Sequence, residues 1–149
     1  SRVMEGGASK NVALADFAAL LALPGTAFVN LQYGDVAADI AAVRNAGLGE
    51  IFIDGHIDST ADIDGLCAQV AALDLVVSTS NTTVHIAGAL DVPCLVLLPR
   101  TRPVLWYWGY RGERTPWYPS LRLLRNSRED DWQDLLAGVA AGIAAGELP

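Results

Sequence analysis

Basic side chains are scarce over the first two thirds of this chain: residues 1–99 carry three of them against eleven acidic ones. The whole chain of 149 residues has a net charge of −7 and an isoelectric point near 4.6, so it has no overall attraction for a polyanion. No nucleic-acid partner is expected. Long apolar runs are also missing, since nothing approaches the roughly 18 uninterrupted residues of a membrane span. Cysteine is limited to Cys67 and Cys94. Both sit inside apolar patterns without metal-ligand spacing and read as small core thiols of a reducing compartment. No basic stretch followed by an apolar one opens the chain, which makes a cytoplasmic location the expectation. Internal repeats and low-complexity tracts are absent from the sequence.

What is present is a strongly apolar chain, 52% hydrophobic with a mean hydropathy of +0.30, too rich in core-forming side chains for disorder. Its length suits one domain over residues 1–149. After a loose, glycine-containing start, Phe17, Leu20 and Leu21 recur at helical spacing until Pro24-Gly25. Ala27 to Leu31 reads as a short buried strand, Val36, Ile40 and Val43 as a helix ending near Gly47, and Ile51 to Ile53 as a second strand. Ile63, Leu66, Cys67 and Val70 mark a further helix. Leu75 to Val77 is a third strand, Val84 to Leu90 a helix stopped before Pro93, and Cys94 to Leu98 a fourth strand. Near-continuous apolar runs in strands that alternate with helices predict an α/β fold, a Rossmann-like parallel sheet covered by helices on both faces. A strand normally feeds each helix through a right-handed crossover, yet this order begins with a helix, so the first strand is expected to be missing. The edges left open beside it would need cover, from a second copy of the chain in a homodimer or from the leading ten residues.

The rhythm breaks over residues 99–120, which hold prolines at 99, 103, 116 and 119. Seven arginines lie between Arg100 and Arg128, and six of the eleven aromatic residues fall between Trp106 and Tyr118. Trp, Tyr and Arg are the anchors of protein contacts, so Trp106, Trp108, Trp117 and Tyr118 are interface candidates. The blander reading puts the tryptophans in the core and the arginines in solvent, and one or two arginines closing over a diphosphate is a third. Leu121 to Leu124 suits one more strand. A final helix is expected over residues 129–145, with Glu129, Asp130 and Asp131 placed where its dipole favours anions.

The sharpest local signal is Ser78-Thr79-Ser80-Asn81-Thr82-Thr83-Val84-His85, between a buried strand and a helix. Small hydroxyl and amide side chains, outward backbone N–H groups and the positive end of a helix dipole make a site for a phosphate or diphosphate. The same residues are also ordinary helix caps. His85, one turn along, would reach the same anion or serve as a structural residue. A second candidate is Leu31-Gln32-Tyr33-Gly34-Asp35, where Gln32 and Tyr33 suit a base or sugar. Lying at the carboxyl end of a strand, it is expected to share a crevice with the Ser80 turn, or else to be a plain polar turn. Asp54 to Thr60 ranks lowest: its acids and His56 lack metal spacing, and Asp58 to Thr60 look like caps.

In combination, Leu73 to Leu90, Val92-Pro93, Val96 to Pro99, Thr115 to Leu123, Asp131-Trp132 and Phe28 to Asp35 resemble the donor-binding half of GT-B glycosyltransferases. The nearest likeness is to the heptosyltransferase-like type often fused to tetratricopeptide repeats in bacteria. That resemblance implies a nucleotide-diphosphate sugar held with its diphosphate at Ser80, Asn81, Thr82 and Thr83, His85 assisting as the catalytic residue, and Gln32 and Tyr33 at the nucleoside. It implies no metal and no cofactor beyond that substrate. An N-terminal acceptor domain, and in many relatives tetratricopeptide repeats, would lie outside this chain, leaving it inactive alone. The family commonly has an Asp-Thr pair where this chain has Ser80 and Asn81. That departure keeps open an alternative, a degenerate transferase fold acting as a protein-interaction scaffold.

Overall fold

The computed structural model describes residues 12–100, 105–127 and 132–148. A 3-10 turn over Leu14–Phe17 leads into α1 (Ala18–Leu21), followed by β1 (Phe28–Val29), α2 (Ala37–Asn45), β2 (Ile51–Phe52) and α3 (Ile63–Ala71). Then come β3 (Val76–Thr79), α4 (Thr82–Ala89), β4 (Cys94–Leu98), a 3-10 turn over Trp106–Trp108, β5 (Leu121–Arg125) and α5 (Trp132–Ala144). The chain is an α/β protein in which all strand pairing among the described residues is parallel. The expected single sheet is divided in two, β1-β2 and β3-β4-β5. The glycine-containing first eleven residues, Glu129 to Asp131, Pro103 and the arginines at 102 and 128 lie outside the described residues.

β4 shows why the apolar run Cys94-Leu95-Val96-Leu97-Leu98 is continuous. All five residues are at most 1% exposed, because successive side chains leave a strand on opposite faces and both faces are covered. Cys94, Val96 and Leu98 pack with Leu66 and Val70 of α3, Val84 and Ala87 of α4, and Trp108. Leu95 and Leu97 pack with Leu20 of α1 and with Trp132, Leu136, Val139 and Ala140 of α5. Burial raises the Cys94 thiol to a pKa of about 12, so it stays protonated as an inert core group. Cys67 on α3 is half-buried.

A third cluster, Leu21, Ile40, Val43 and Ile51, joins α1 and α2 to the smaller sheet. α1 therefore straddles the two sheets, with Leu20 turned to one and Leu21 to the other. α1 ends at Leu21, short of the expected stop at Pro24-Gly25, which instead forms a turn where Gly25 takes the left-handed conformation that a side chain disfavours (φ +70°). Asp16 ties the entry turn to the last helix by accepting from Gln133 Nε2 at 3.2 Å.

Candidate functional site

The carboxyl ends of β1 and β2 open into a crevice of about 510 Å³. On one side stands the β1–α2 turn with Asn30, Gln32, Tyr33 and Asp35; on the other, the segment after β2 with Asp54, Asp58 and Thr60. The β1–α2 turn is built by Asn30, whose Nδ2 donates to the carbonyl of Gln32 (3.0 Å) while its Oδ1 accepts from the Gln32 N–H (3.2 Å). Gly34, at φ +88°, allows the chain to reverse after Tyr33.

The acids of this crevice hold their own loops. Asp35 accepts from the Ala37 N–H (3.1 Å) and Asp54 from the His56 N–H (2.9 Å). Asp58 accepts from both the hydroxyl (2.6 Å) and the N–H (2.9 Å) of Thr60. Those two bonds hold the Asp58 carboxyl below its ordinary range. Among the described residues no lysine or arginine lines the crevice. A phosphate brought close to one of these carboxylates would be repelled by it, the more weakly the more solvent screens the pair. The crevice therefore suits a neutral, hydroxyl-rich or heterocyclic group, to which amides, a phenol and carboxylates offer complementary hydrogen bonds.

The turn after β3 is organised differently. Asn81 caps α4, its Oδ1 accepting from the Val84 N–H at 3.4 Å and its Nδ2 donating to Ser78 Oγ at 2.9 Å. Ser80 is buried and its Oγ accepts from Trp108 Nε1 at 2.8 Å. Thr83 is buried as well, and Thr82 is exposed. His85 stacks on Trp108, with ring centroids 5.2 Å apart and 16° between planes, and meets Tyr107 and Tyr118 edge-on. Its Nδ1 lies 3.2 Å from the Tyr118 hydroxyl. The imidazole is thus held in an aromatic box, and the N–H groups of the first turn have no acceptor within the helix itself.

Gly88, one turn beyond His85, makes the box possible. A Cβ there would overlap Cγ of Tyr118 and stand 2.6 Å from its Cδ1, so the tyrosine ring crosses α4 where the helix carries no side chain.

The arginine-aromatic segment is held largely by its own arginines. Arg125 on β5 donates to the carbonyls of Trp108 (3.1 Å), Gly109 (3.2 Å) and Gly112. Arg100 donates to the Ser127 carbonyl at 2.6 Å, Arg114 to the Pro119 carbonyl at 3.3 Å, and Arg122 pairs with Glu113 at 2.9 Å. Trp108, at 2% exposure, belongs to the core and offers nothing to a partner. Tyr118 is half-buried against the same core. Trp106 and Trp117 are 72% and 55% exposed and pack edge to face at 6.1 Å. The interface set of four thus narrows to these two.

The structure places Gln32 and Tyr33 together with the Asp54–Thr60 segment, which sequence reasoning ranked last. None of Ser80, Asn81, Thr82, Thr83 or His85 lines that crevice. The expectation that both turns face one crevice is corrected in this form: the lining comes from the turn after β1, the segment after β2 and Gln69 of α3, while the α4 turn is packed against the aromatic segment. Arg125 and Gly88 were not singled out from the sequence. A strand-borne arginine beside a glycine-rich loop, and a glycine three residues after a helical histidine, were the signals available. Among the described residues no group of three potential metal ligands gathers, and no helix is long and apolar enough to cross a membrane.

No family model matches the chain, and no solved structure matches it. The chain is similar to Protein FlbA of Caulobacter vibrioides, 37% identical over 125 residues. The match covers 83% of this chain and 20% of that protein, so the chain spans about a fifth of the length of its curated relative.

Proposed function

We propose that this chain is the donor-binding domain of a bacterial glycosyltransferase of GT-B type that uses a nucleotide-diphosphate sugar. The observation that carries the reading is the 510 Å³ crevice at the carboxyl ends of parallel strands, which is where open α/β sheets bind their ligands. Its cation-free lining suits the nucleoside, with Gln32 and Tyr33 at the base or ribose. The diphosphate then belongs at the first turn of α4, where the N–H groups of Thr82 and Thr83 and the helix dipole stabilise negative charge as the sugar leaves. His85 keeps Nε2 for that anion while Tyr118 engages Nδ1. The acceptor site and its base lie on another domain of a longer cytoplasmic protein, of which tetratricopeptide repeats form a part, and the isolated chain is inactive.

Calorimetry on the full-length protein against a panel of nucleotide-sugars tests this reading. Saturable binding weakened by Tyr33→Ala and by Gln32→Ala is expected, and the absence of binding to every member of the panel would refute it. One observation favours a second reading, a degenerate transferase fold kept as a protein-interaction scaffold. Ser80 and His85 are both engaged inside the domain, while Trp106 and Trp117 stand exposed. Under that reading, biological function is lost on Trp106→Ala or Trp117→Ala and survives His85→Ala.

A further inference from the structure

The polar side chains around the crevice divide into those that hold the protein together and those that hold nothing. Asn30 closes the β1–α2 turn, and Asp35, Asp54 and Asp58 each give one oxygen to an N–H of their own loop, with the Thr60 hydroxyl donating to Asp58 as well. Gln32, Tyr33, Ser59 and Gln69 line the same crevice, and their side chains have no polar partner among the described residues.

Three of these four sit on loops; Gln69 belongs to α3. That helix is started by Asp62, whose side chain accepts from the Gly65 N–H at 2.8 Å. Its rotation is fixed by Leu66 and Val70, both buried and packed with Val76 of β3 and with Cys94 and Val96 of β4. Residues three apart share a helix face, so Gln69 stands beside Leu66 at the border of the buried stripe, itself half-buried. A leucine or alanine would serve the packing there. The glutamine brings an amide that bonds nothing in the domain and that is not sealed from solvent.

An amide presents an acceptor and a donor side by side, Oε1 and Nε2. The matching partner is a rigid group with a donor next to an acceptor, which is what the edge of a nucleobase offers: a ring nitrogen beside an amino group in adenine and cytosine, a ring N–H beside a carbonyl in uracil and guanine. The remaining oxygens of the three carboxylates accept only and cannot make such a pair. Half-buried Leu31, Val36 and Ile57 give the same crevice apolar walls against which a planar ring can lie.

We infer that Gln69 is the specificity-determining residue of this crevice, its amide reading the hydrogen-bonding edge of the nucleobase. The inference rests on the reading that the crevice holds the nucleoside, and it adds to Gln32 and Tyr33 a residue from a different element. The helix supplies what the two turn residues lack, a backbone held by core packing on its other side, so that the amide is positioned before the ligand arrives. A base that fails to match leaves donor or acceptor unpaired in a half-enclosed site, which is how a polar contact discriminates between ligands of similar shape.

Calorimetric titration of the full-length protein with ADP, GDP, CDP and UDP tests the assignment. Gln69→Leu removes both hydrogen bonds at similar bulk and should weaken binding of the preferred nucleotide about tenfold. Gln69→Glu replaces the donor by a second acceptor. Its carboxylate matches guanine, whose N1–H and N2–H2 are adjacent donors, and sets an oxygen against N1 of adenine, N3 of cytosine or a carbonyl of uracil. Affinity for GDP relative to the other three should therefore rise about tenfold over the wild-type ratio. The ratio is read within one folded variant, so a general loss of stability does not imitate it. A wild-type protein that binds none of the four removes the nucleoside reading and this inference with it. If the wild type binds, equal affinity in Gln69→Leu or an unchanged base preference in Gln69→Glu overturns the role of Gln69 and leaves the nucleoside reading standing.

Discussion

Substituting Gly88 by Ala makes a test of the aromatic box in which the sign of the effect decides. In an unobstructed helix interior the change is stabilising by about 1 kcal/mol, because alanine loses less backbone freedom on folding. Gly88 lies inside α4, between Ala87 and Ala89, so this gain is available in principle. Against it stands Tyr118: the added Cβ overlaps Cγ and would lie 2.6 Å from Cδ1 and 2.9 Å from the tyrosine Cβ. The obstructing atoms belong to the root of the ring, close to its own backbone, so a simple rotamer change does not clear them. Overpacking of this kind costs about 1–3 kcal/mol. Displacing the ring also breaks the contact between its hydroxyl and His85 Nδ1, worth roughly another 1 kcal/mol. The net expectation is a loss of about 1–3 kcal/mol.

Equilibrium urea unfolding of wild type, Gly88→Ala, Tyr118→Ala and the double variant measures the coupling. In the Tyr118→Ala background the obstruction is gone, and Gly88→Ala should become stabilising by a few tenths to about 1 kcal/mol. The 15N shifts of the His85 ring should move in both single variants, because both release Nδ1. A Gly88→Ala protein more stable than wild type, or a cycle with no coupling, would refute the claim that Tyr118 crosses α4 at this glycine.

Trp108→Phe keeps most of the buried ring and removes the donor to Ser80 Oγ; a cost of about 1–3 kcal/mol by urea unfolding is expected, and a neutral result would mean that the bond is not made. Arg125→Met should leave the carbonyls of Trp108, Gly109 and Gly112 without their donor and speed limited proteolysis between residues 105 and 120, with Arg125→Lys failing to restore resistance because one ammonium does not reproduce the fork. An unchanged cleavage rate would show that the segment is held by other means. Cys94, whose thiol pKa is raised by burial, should resist a maleimide at neutral pH while half-buried Cys67 reacts. The linkage has a definite sign: a raised folded pKa stabilises the fold fully below the ordinary thiol value near 9.0, and that contribution disappears as pH rises from there towards about 12. A Cys94→Ala protein should show less of this alkaline loss, measured as the pH dependence of its urea midpoint.

The parts of the fold legible in the sequence are those fixed by local physics. The run Cys94 to Leu98 is bounded by prolines on each side and has no polar residue, so only a strand covered on both faces accommodates it. Asn81 was legible as a cap because an amide oxygen directly before a helix can accept from a first-turn N–H. The roles of Ser80, His85 and Tyr118 were not legible, since they depend on partners 28 and 33 residues away that no periodicity announces. Trp108 shows the same limit. Its neighbours Trp106 and Tyr107 have similar chemistry, and the turn over Trp106–Trp108 alone decides which ring enters the core. The crevice depends on two turns from different strands meeting, and each alone resembled an ordinary polar loop.

The distribution of charge then acquires a structural meaning. The acidic first two thirds supply the carboxylates of the crevice, and each of Asp35, Asp54 and Asp58 is already bonded to an N–H of its own loop. Such carboxylates are poor counterparts for a phosphate and good ones for hydroxyl or amide donors, which makes the crevice selective by repulsion as well as by fit. Among the described residues no arginine lines the crevice, and Arg100, Arg114, Arg122 and Arg125 are committed to carbonyls or to Glu113 within their own segment. Under the proposed reading, the anionic part of the ligand sits at the backbone N–H groups at the start of α4, whose attraction comes from peptide dipoles and does not depend on a titrating side chain. Raising the salt concentration should consequently weaken nucleotide-sugar binding only slightly. A steep salt dependence measured by calorimetry would instead place the diphosphate on arginines, Arg111 being the exposed candidate, and would relocate the site to the aromatic segment.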